Sequence, residues 1–274
     1  MNKAVLLATT GTVAGLALLA AGFAAGTIAP GGAGSAPAAS GMMQMAAADA
    51  GAGKLDHAEV EGIVRDYLLK NPEMLLEVQD ALEAKQKEEQ QLASQGVIKN
   101  QKDEIFNSAY DGIVGNPDGK VTIVEFYDYN CGFCKRAIED MQALTKEDTD
   151  LRFVLKEFPI LGPDSQKASV VSMAFHKMMP EKYREFHTAL LGGEGRATEA
   201  KAIKIAMSLG ADETTLRERM KDPDIPDAIN KTYDLANRLT ITGTPSYVVG
   251  NEVVFGALGE QVLAEKIAAA KASL

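Results

Sequence analysis

The sequence predicts an α/β domain interrupted by a long helical block and preceded by a helical N-terminal extension. Two observations carry this reading. Beyond residue 120 the elements run β, α, β, helical block, β, β, α. The chain's two cysteines, Cys131 and Cys134, lie two residues apart where the first strong strand gives way to a helix. At 274 residues the chain is long enough for one domain with appendages. Its formal net charge of −10, with no basic stripe, argues against a nucleic-acid partner.

Met1-Asn2-Lys3 precedes an uncharged stretch from Ala4 to Ala29. A signal-peptide core runs to about 7–15 residues and a spanning helix needs about 20. Residues 1–29 therefore read as an export signal that is either cleaved or kept as an anchor. Gly22-Phe23-Ala24 and Ala36-Pro37-Ala38 are the small-x-small cleavage candidates. Lys3 keeps the N-terminus cytoplasmic, so either outcome puts Cys131 outside the cytoplasm. Residues 30–53, rich in Pro, Gly, Ala and Ser, read as a flexible linker. Met42, Met43 and Met45 lie within it. Thioethers suit Cu(I), although methionines in such a linker are more often incidental.

Residues 54–112 read as a helical segment. Val60, Ile63, Val64, Tyr67 and Leu68 repeat at helical spacing and form one apolar stripe. Asn71 followed by Pro72 predicts the cap and first position of a second helix, whose apolar face is Met74, Leu75, Val78 and Leu82. Residues 83–95 are almost wholly polar and read as a solvated helix or semi-rigid connector. The two stripes are too small for a core of their own, so they must dock on the main domain or on another copy. Residues 115–119, Gly-Asn-Pro-Asp-Gly, are a turn.

Val121 to Tyr127 is the first strong strand, Cys131 to about Lys146 a helix, and Leu151 to Lys156 the next strand. Residues 164 to about 239 are helical, with breaks at Pro180, Gly192-Gly193, Gly210 and Pro223/Pro226. Two short strands, Tyr247 to Val249 and Val253 to Phe255, meet at Gly250-Asn251, and Gly259 to Lys271 closes the chain as a helix.

The spacing of Cys131 and Cys134 suits a redox-active dithiol, with the first thiol at a helix N-terminus and the second one turn inside. Backbone N–H groups and the helix dipole favour the thiolate of Cys131. Half a zinc site or two structural cysteines are the competing readings. Zinc normally takes four ligands, there is no second cysteine pair, and His57, His176 and His187 are scattered, so no metal is expected.

The chain resembles the DsbA-like thiol–disulfide oxidoreductases of bacterial envelopes. The resemblance rests on three stretches: Val124-Glu125-Phe126-Tyr127-Asp128-Tyr129 ahead of the dithiol, Lys156-Glu157-Phe158-Pro159-Ile160-Leu161-Gly162, and Gly243-Thr244-Pro245-Ser246. It covers residues 113–274 and implies a thioredoxin fold with a helical domain inserted at about 164–239. It also implies roles. Cys131 is the exposed attacking sulfur and Cys134 the resolving thiol. Glu125 is a buried acid whose raised pKa fits it to relay a proton for Cys134. Thr244 and a cis Pro245 bind an extended substrate segment. Lys156 and Glu157 are weaker site candidates, since charges at a strand end are usually solvated. The N-terminal helices resemble those of the ScsC-type branch, which oligomerises through such an extension.

One departure matters. Gly132-Phe133 stands between the cysteines, without the histidine of the family's strong oxidants. The expectation is therefore a periplasmic isomerase or reductase, with or without a retained inner-membrane anchor, acting on exported proteins with cysteines and served by a membrane redox partner. It would work as a dimer or trimer, with no cofactor beyond its own disulfide. A monomeric dithiol oxidase and a copper-binding carrier are the alternatives.

Overall fold

The computed structural model describes residues 56–273, so the readings of an export signal and a methionine-bearing linker lie outside the described residues. The extension forms α1 (His57–Lys70) and α2 (Met74–Asn100). No residue of α1 is buried, and Ile63 (58%), Val64 (52%) and Tyr67 (53%) are each more than half exposed. Leu75, Val78 and Leu82 of α2 are equally open.

Pro72 does not begin α2. The Asn71 N–H and Nδ2 both return to the Tyr67 carbonyl at 2.9 Å, and the Asn71 carbonyl accepts from the Met74 N–H at 3.1 Å. With its amide engaged backwards, Asn71 closes α1 and leaves a turn before Met74. From there α2 runs unbroken through the polar stretch. Pairs one turn apart support it, Gln79 Nε2 to Glu83 at 2.8 Å and Lys85 to Glu89 at 3.9 Å. Its C-terminal end is anchored. Ser94 and Ile98 are buried, and the helix packs against the last strand of the sheet. α3 (Lys102–Phe106) follows and buries Ile105.

Five strands form one sheet: β1 (Gly112–Gly115), β2 (Val121–Tyr127), β3 (Leu151–Glu157), β4 (Ser246–Val249) and β5 (Glu252–Phe255), in the order β1-β3-β2-β4-β5. β2 and β3 are parallel and the other pairings antiparallel. The sequence does not predict β1. Half of its residues are glycine, so it carries no strand pattern. Gly112 is required by packing, because a Cβ there would lie 1.7 Å from the Tyr183 ring.

Alternation along β2 sorts the core. Ile123 and Tyr127 pack on the face covered by α4 (Gly132–Glu147) and α10 (Glu260–Ala272), with Ile138, Met141, Leu263 and Ile267. Val124 and Phe126 pack on the other face with Ile98, Ile105, Leu235 and Leu239. Between β3 and β4 lie α5 (Pro163–Met178), α6 (Tyr183–Gly192), α7 (Glu199–Ser208), α8 (Glu213–Arg219) and α9 (Asp224–Arg238). Pro226 does not break the block. It sits in the first turn of α9, where a missing N–H costs nothing. A buried line of hydroxyls, Tyr183 to Tyr127 (3.0 Å), Tyr127 to Tyr129 (3.0 Å) and Tyr129 to Ser172 (2.7 Å), ties β2 to α5 and α6.

Candidate active site

The pairing of β2 with β4 brings two distant segments together. Phe126 lies opposite Ser246, so the chain just before β4 faces the chain just after β2. The first holds Thr244 and Pro245, joined by a cis peptide bond, and the second holds the dithiol. Cys131 is the N-cap of α4, with extended backbone angles, and its sulfur accepts from the Cys134 N–H at 3.4 Å. Its thiol donates to the Thr244 carbonyl at 3.2 Å. The two sulfurs are not bonded to each other, so the geometry is that of the dithiol form.

The two sulfurs differ sharply in acidity. A hydrogen bond from Cys134 is the main cause that lowers Cys131 from 9.0 to about 5, aided by the Thr244 side chain and by the N–H groups of Cys134 and Phe133, against the cost of burial. Burial pushes the Cys134 thiol far up, and the hydrogen bond to Cys131 and the charge of Glu125 add to this. Glu125 lies between Leu155 and Tyr247 in the sheet, only 3% exposed. Burial raises it from 4.5 to about 8, and the charges of Cys131 and Asp140 raise it further. A proton on Glu125 at neutral pH keeps its negative charge away from the thiolate. The arrangement thus joins an acidic, ready nucleophile to a second thiol held protonated, with a titrating carboxyl on the same face of the sheet.

Three expectations need correction. Cys131 is not an exposed sulfur. It is 5% exposed, because the Thr244–Pro245 segment lies against it. The exposed point of the motif is Phe133, 57% open, with the Arg136 guanidinium 4.4 Å from its ring centre. Lys156 and Glu157 are not solvated either. Lys156 alternates onto the sheet face opposite Glu125, where its Nζ donates to Asp111 and to the Glu104 carbonyl, both at 2.6 Å. That pair is structural and lies away from the dithiol. Glu157 is on the dithiol's face but buried toward α5, and burial raises it to about 8 despite hydrogen bonds from Ser172 and Ser169.

Sequence reasoning assigned no role to Asp128, Asn130 or Lys135. Lys135 Nζ donates to the carbonyls of Gly193 and Gly195, both at 3.0 Å, and so holds the loop between α6 and α7 beside the dithiol. Asp128 and Asn130 form a turn leading into Cys131. The Asp-x-Asn spacing was the available signal, because such side chains bond to backbone two residues on. Among the described residues no group of three or more His, Cys, Asp or Glu is placed to hold a metal ion.

Comparison with known proteins agrees with this geometry. The profile of the DSBA-like thioredoxin domain matches residues 122–268, and that of the copper resistance protein ScsC N-terminal domain matches residues 56–89. Na(+)/H(+) antiporter NhaA 3 of Salinispora tropica is 26% identical over 60% of this chain, but the chain spans only 25% of that relative's length. Disulfide bond formation protein D of Bacillus subtilis is 26% identical over 57% of this chain and 78% of its own. The crystal structure of a thioredoxin-like oxidoreductase from Silicibacter pomeroyi has 37% identity and a TM-score of 0.60, over 62% of this chain and 98% of its own. A linker-deleted Proteus mirabilis ScsC has 26% identity and a TM-score of 0.63, over 81% and 99%. With more than half of its length matched to that domain, the chain belongs to the DSBA-like thioredoxin family.

Proposed function

We propose that this chain is an envelope thiol–disulfide oxidoreductase that isomerises or reduces disulfides in exported proteins, with Cys131 attacking, Cys134 resolving and Glu125 relaying a proton. The observation that supports this reading is the split in acidity between the two sulfurs. The Cys131 thiolate attacks one sulfur of a substrate disulfide. That S–S bond breaks, a mixed disulfide forms, and the other substrate sulfur leaves as a thiolate. Any substrate thiolate can then displace Cys131, which rearranges the substrate with no net redox change. Alternatively Cys134 gives up its proton to the ionised fraction of Glu125, about a tenth at pH 7 for a carboxyl at about 8, and attacks Cys131, expelling the bound substrate sulfur as a thiolate. The pair becomes a disulfide, the substrate has gained two electrons, and a membrane redox partner restores the dithiol.

A resolving thiol held protonated prolongs the mixed disulfide, which favours rearrangement. Cys131 at about 5 lies between the strongly oxidising DsbA, about 3.5, and thioredoxin, about 7. The backbone beside Thr244 and Pro245 suits an extended substrate segment, and no cofactor beyond the cysteine pair is needed. Self-association through the open stripes of α1 and α2, as a dimer or trimer, would bring several sites to one substrate and raise their effective concentration. Export directed by residues 1–29, with or without a retained anchor, places the protein in the periplasm.

The test is refolding of scrambled ribonuclease beside oxidation of a dithiol peptide, with light scattering on the same sample. Isomerisation by an oligomer supports the reading. A monomer that only oxidises would replace it with a dithiol oxidase.

A further inference from the structure

We propose that Asp128 is a positioning residue for Cys131, and that through Ser165 and Asn130 it makes the helical insert part of the mounting of the attacking sulfur. The inference rests on the role given to Cys131 above.

The Asp128 carboxylate is 1% exposed and sits one residue past β2. A buried carboxylate is costly unless donors meet it, and three do. Its Oδ1 accepts from the Asn130 N–H and from Ser165 Oγ, each at 2.7 Å, and its Oδ2 accepts from the Leu161 N–H at 2.8 Å. Its own carbonyl accepts from the Cys131 N–H at 3.0 Å, so side chain and backbone together fold residues 128–131 into one tight turn.

The next links reach the insert. Ser165, fully buried in the first turn of α5, also accepts from Asn130 Nδ2 at 3.0 Å. The Asn130 amide pairs with Ala197 in both directions, Nδ2 to the Ala197 carbonyl at 3.0 Å and the Ala197 N–H to Oδ1 at 2.9 Å. The turn that leads into the nucleophile is thus held by the segment after β3, by α5 and by the loop before α7. Cys131 needs such a hold, because its thiolate depends on the placing of the Cys134 N–H and of Thr244. Small displacements of reacting groups are expensive in rate.

Positioning can be told from charge by sign. Asp128 is negative, so removing its charge alone would make the Cys131 thiolate easier to form. Loosening the turn would make it harder. The titrating groups that face Cys131, namely Glu125 from β2, Cys134 from α4 and Tyr247 from β4, are the same in every variant.

The experiment is an ultraviolet thiolate titration of the reduced full chain, with iodoacetamide alkylation followed across pH, for wild type, Asp128→Asn and Ser165→Ala. Ser165→Ala changes no charge and tests position alone. Both variants should move the Cys131 midpoint up by about half a unit to one unit, a roughly three- to tenfold loss of thiolate below the midpoint. An unchanged midpoint in Ser165→Ala, or a lowered one in Asp128→Asn, would overturn the proposal, even if stability fell. If Asp128→Asn does not fold, Ser165→Ala decides by itself. A wild-type midpoint in the ordinary thiol range would instead overturn the role of Cys131 and this inference with it.

Discussion

Glu125→Gln separates a buried, proton-holding carboxyl from an ordinary one. Burial, reinforced by the charges of Cys131 and Asp140, holds the proton on Glu125 up to about 8, against the usual 4.5. The folded state therefore binds this proton more tightly than the unfolded chain, and stability falls as pH rises. Nothing is lost below about pH 4.5, and the loss is complete above about pH 8. At about 1.36 kcal/mol per unit of difference, the penalty is about 3 kcal/mol at pH 7 and about 5 kcal/mol above pH 8, upper bounds if water enters on ionisation. Glutamine keeps the shape of the neutral acid at every pH and removes this contribution. Urea unfolding of the reduced proteins between about pH 5 and 9 is the assay. Glu157 contributes a similar slope in both proteins, so the informative quantity is the difference between them. The variant should gain on wild type as pH rises, by several kcal/mol at the alkaline end. Its mixed disulfides should also resolve more slowly, because Cys134 has lost its proton acceptor. A stability difference constant across pH would refute the reasoning, since it would mean that folding does not perturb Glu125.

Other outcomes follow from the same structure. Cys131→Ala should abolish thiol exchange, whereas Cys134→Ala should accumulate mixed disulfides visible by non-reducing mass analysis; rapid turnover without trapping would reverse the assigned order of the sulfurs. Lys156→Met leaves Asp111 buried without its partner and should cost about 3–5 kcal/mol in urea unfolding, with exchange rates per folded molecule unchanged. Gly112→Ala drives a methyl group into the Tyr183 ring and should destabilise by at least about 1–3 kcal/mol, measured by thermal unfolding. Removing α1 and α2 only as far as about residue 86 should give a monomer by light scattering that exchanges thiols but isomerises poorly; a cut at Asn100 would also strip Ile98 from the core.

The parts of the fold that were legible in the sequence are those with a long pattern or a distinctive residue type. β2, β3 and the helical block have sustained apolar periodicity, and the dithiol and the Thr244–Pro245 segment announce themselves by residue type. β1 was hidden because strand pairing to β3 and the ring of Tyr183, rather than its own side chains, make it a strand. Asn71-Pro72 misled because one asparagine can close the helix behind it or cap the helix ahead, and only tertiary geometry chooses. Lys156 looked solvated because its partner Asp111 lies 45 residues earlier, outside any local window. Asp128 stood in plain view beside the motif, but its partner Ser165 is 37 residues away, beyond α4 and β3.

The unbroken course of α2 has a consequence for assembly. At about 1.5 Å per residue its 27 residues span about 40 Å. One end is rooted beside β5 and the other carries the open apolar stripe. A flexible tether lets two sites approach to any distance within its reach, whereas a helix acts as a ruler and sets a fixed standoff. Copies joined through their stripes would hold their thiols around a gap of set width. The size of substrate that can be engaged by two sites at once would then be written into the number of helical turns. Inserting or deleting whole turns in the polar stretch changes that gap without touching a single residue near Cys131.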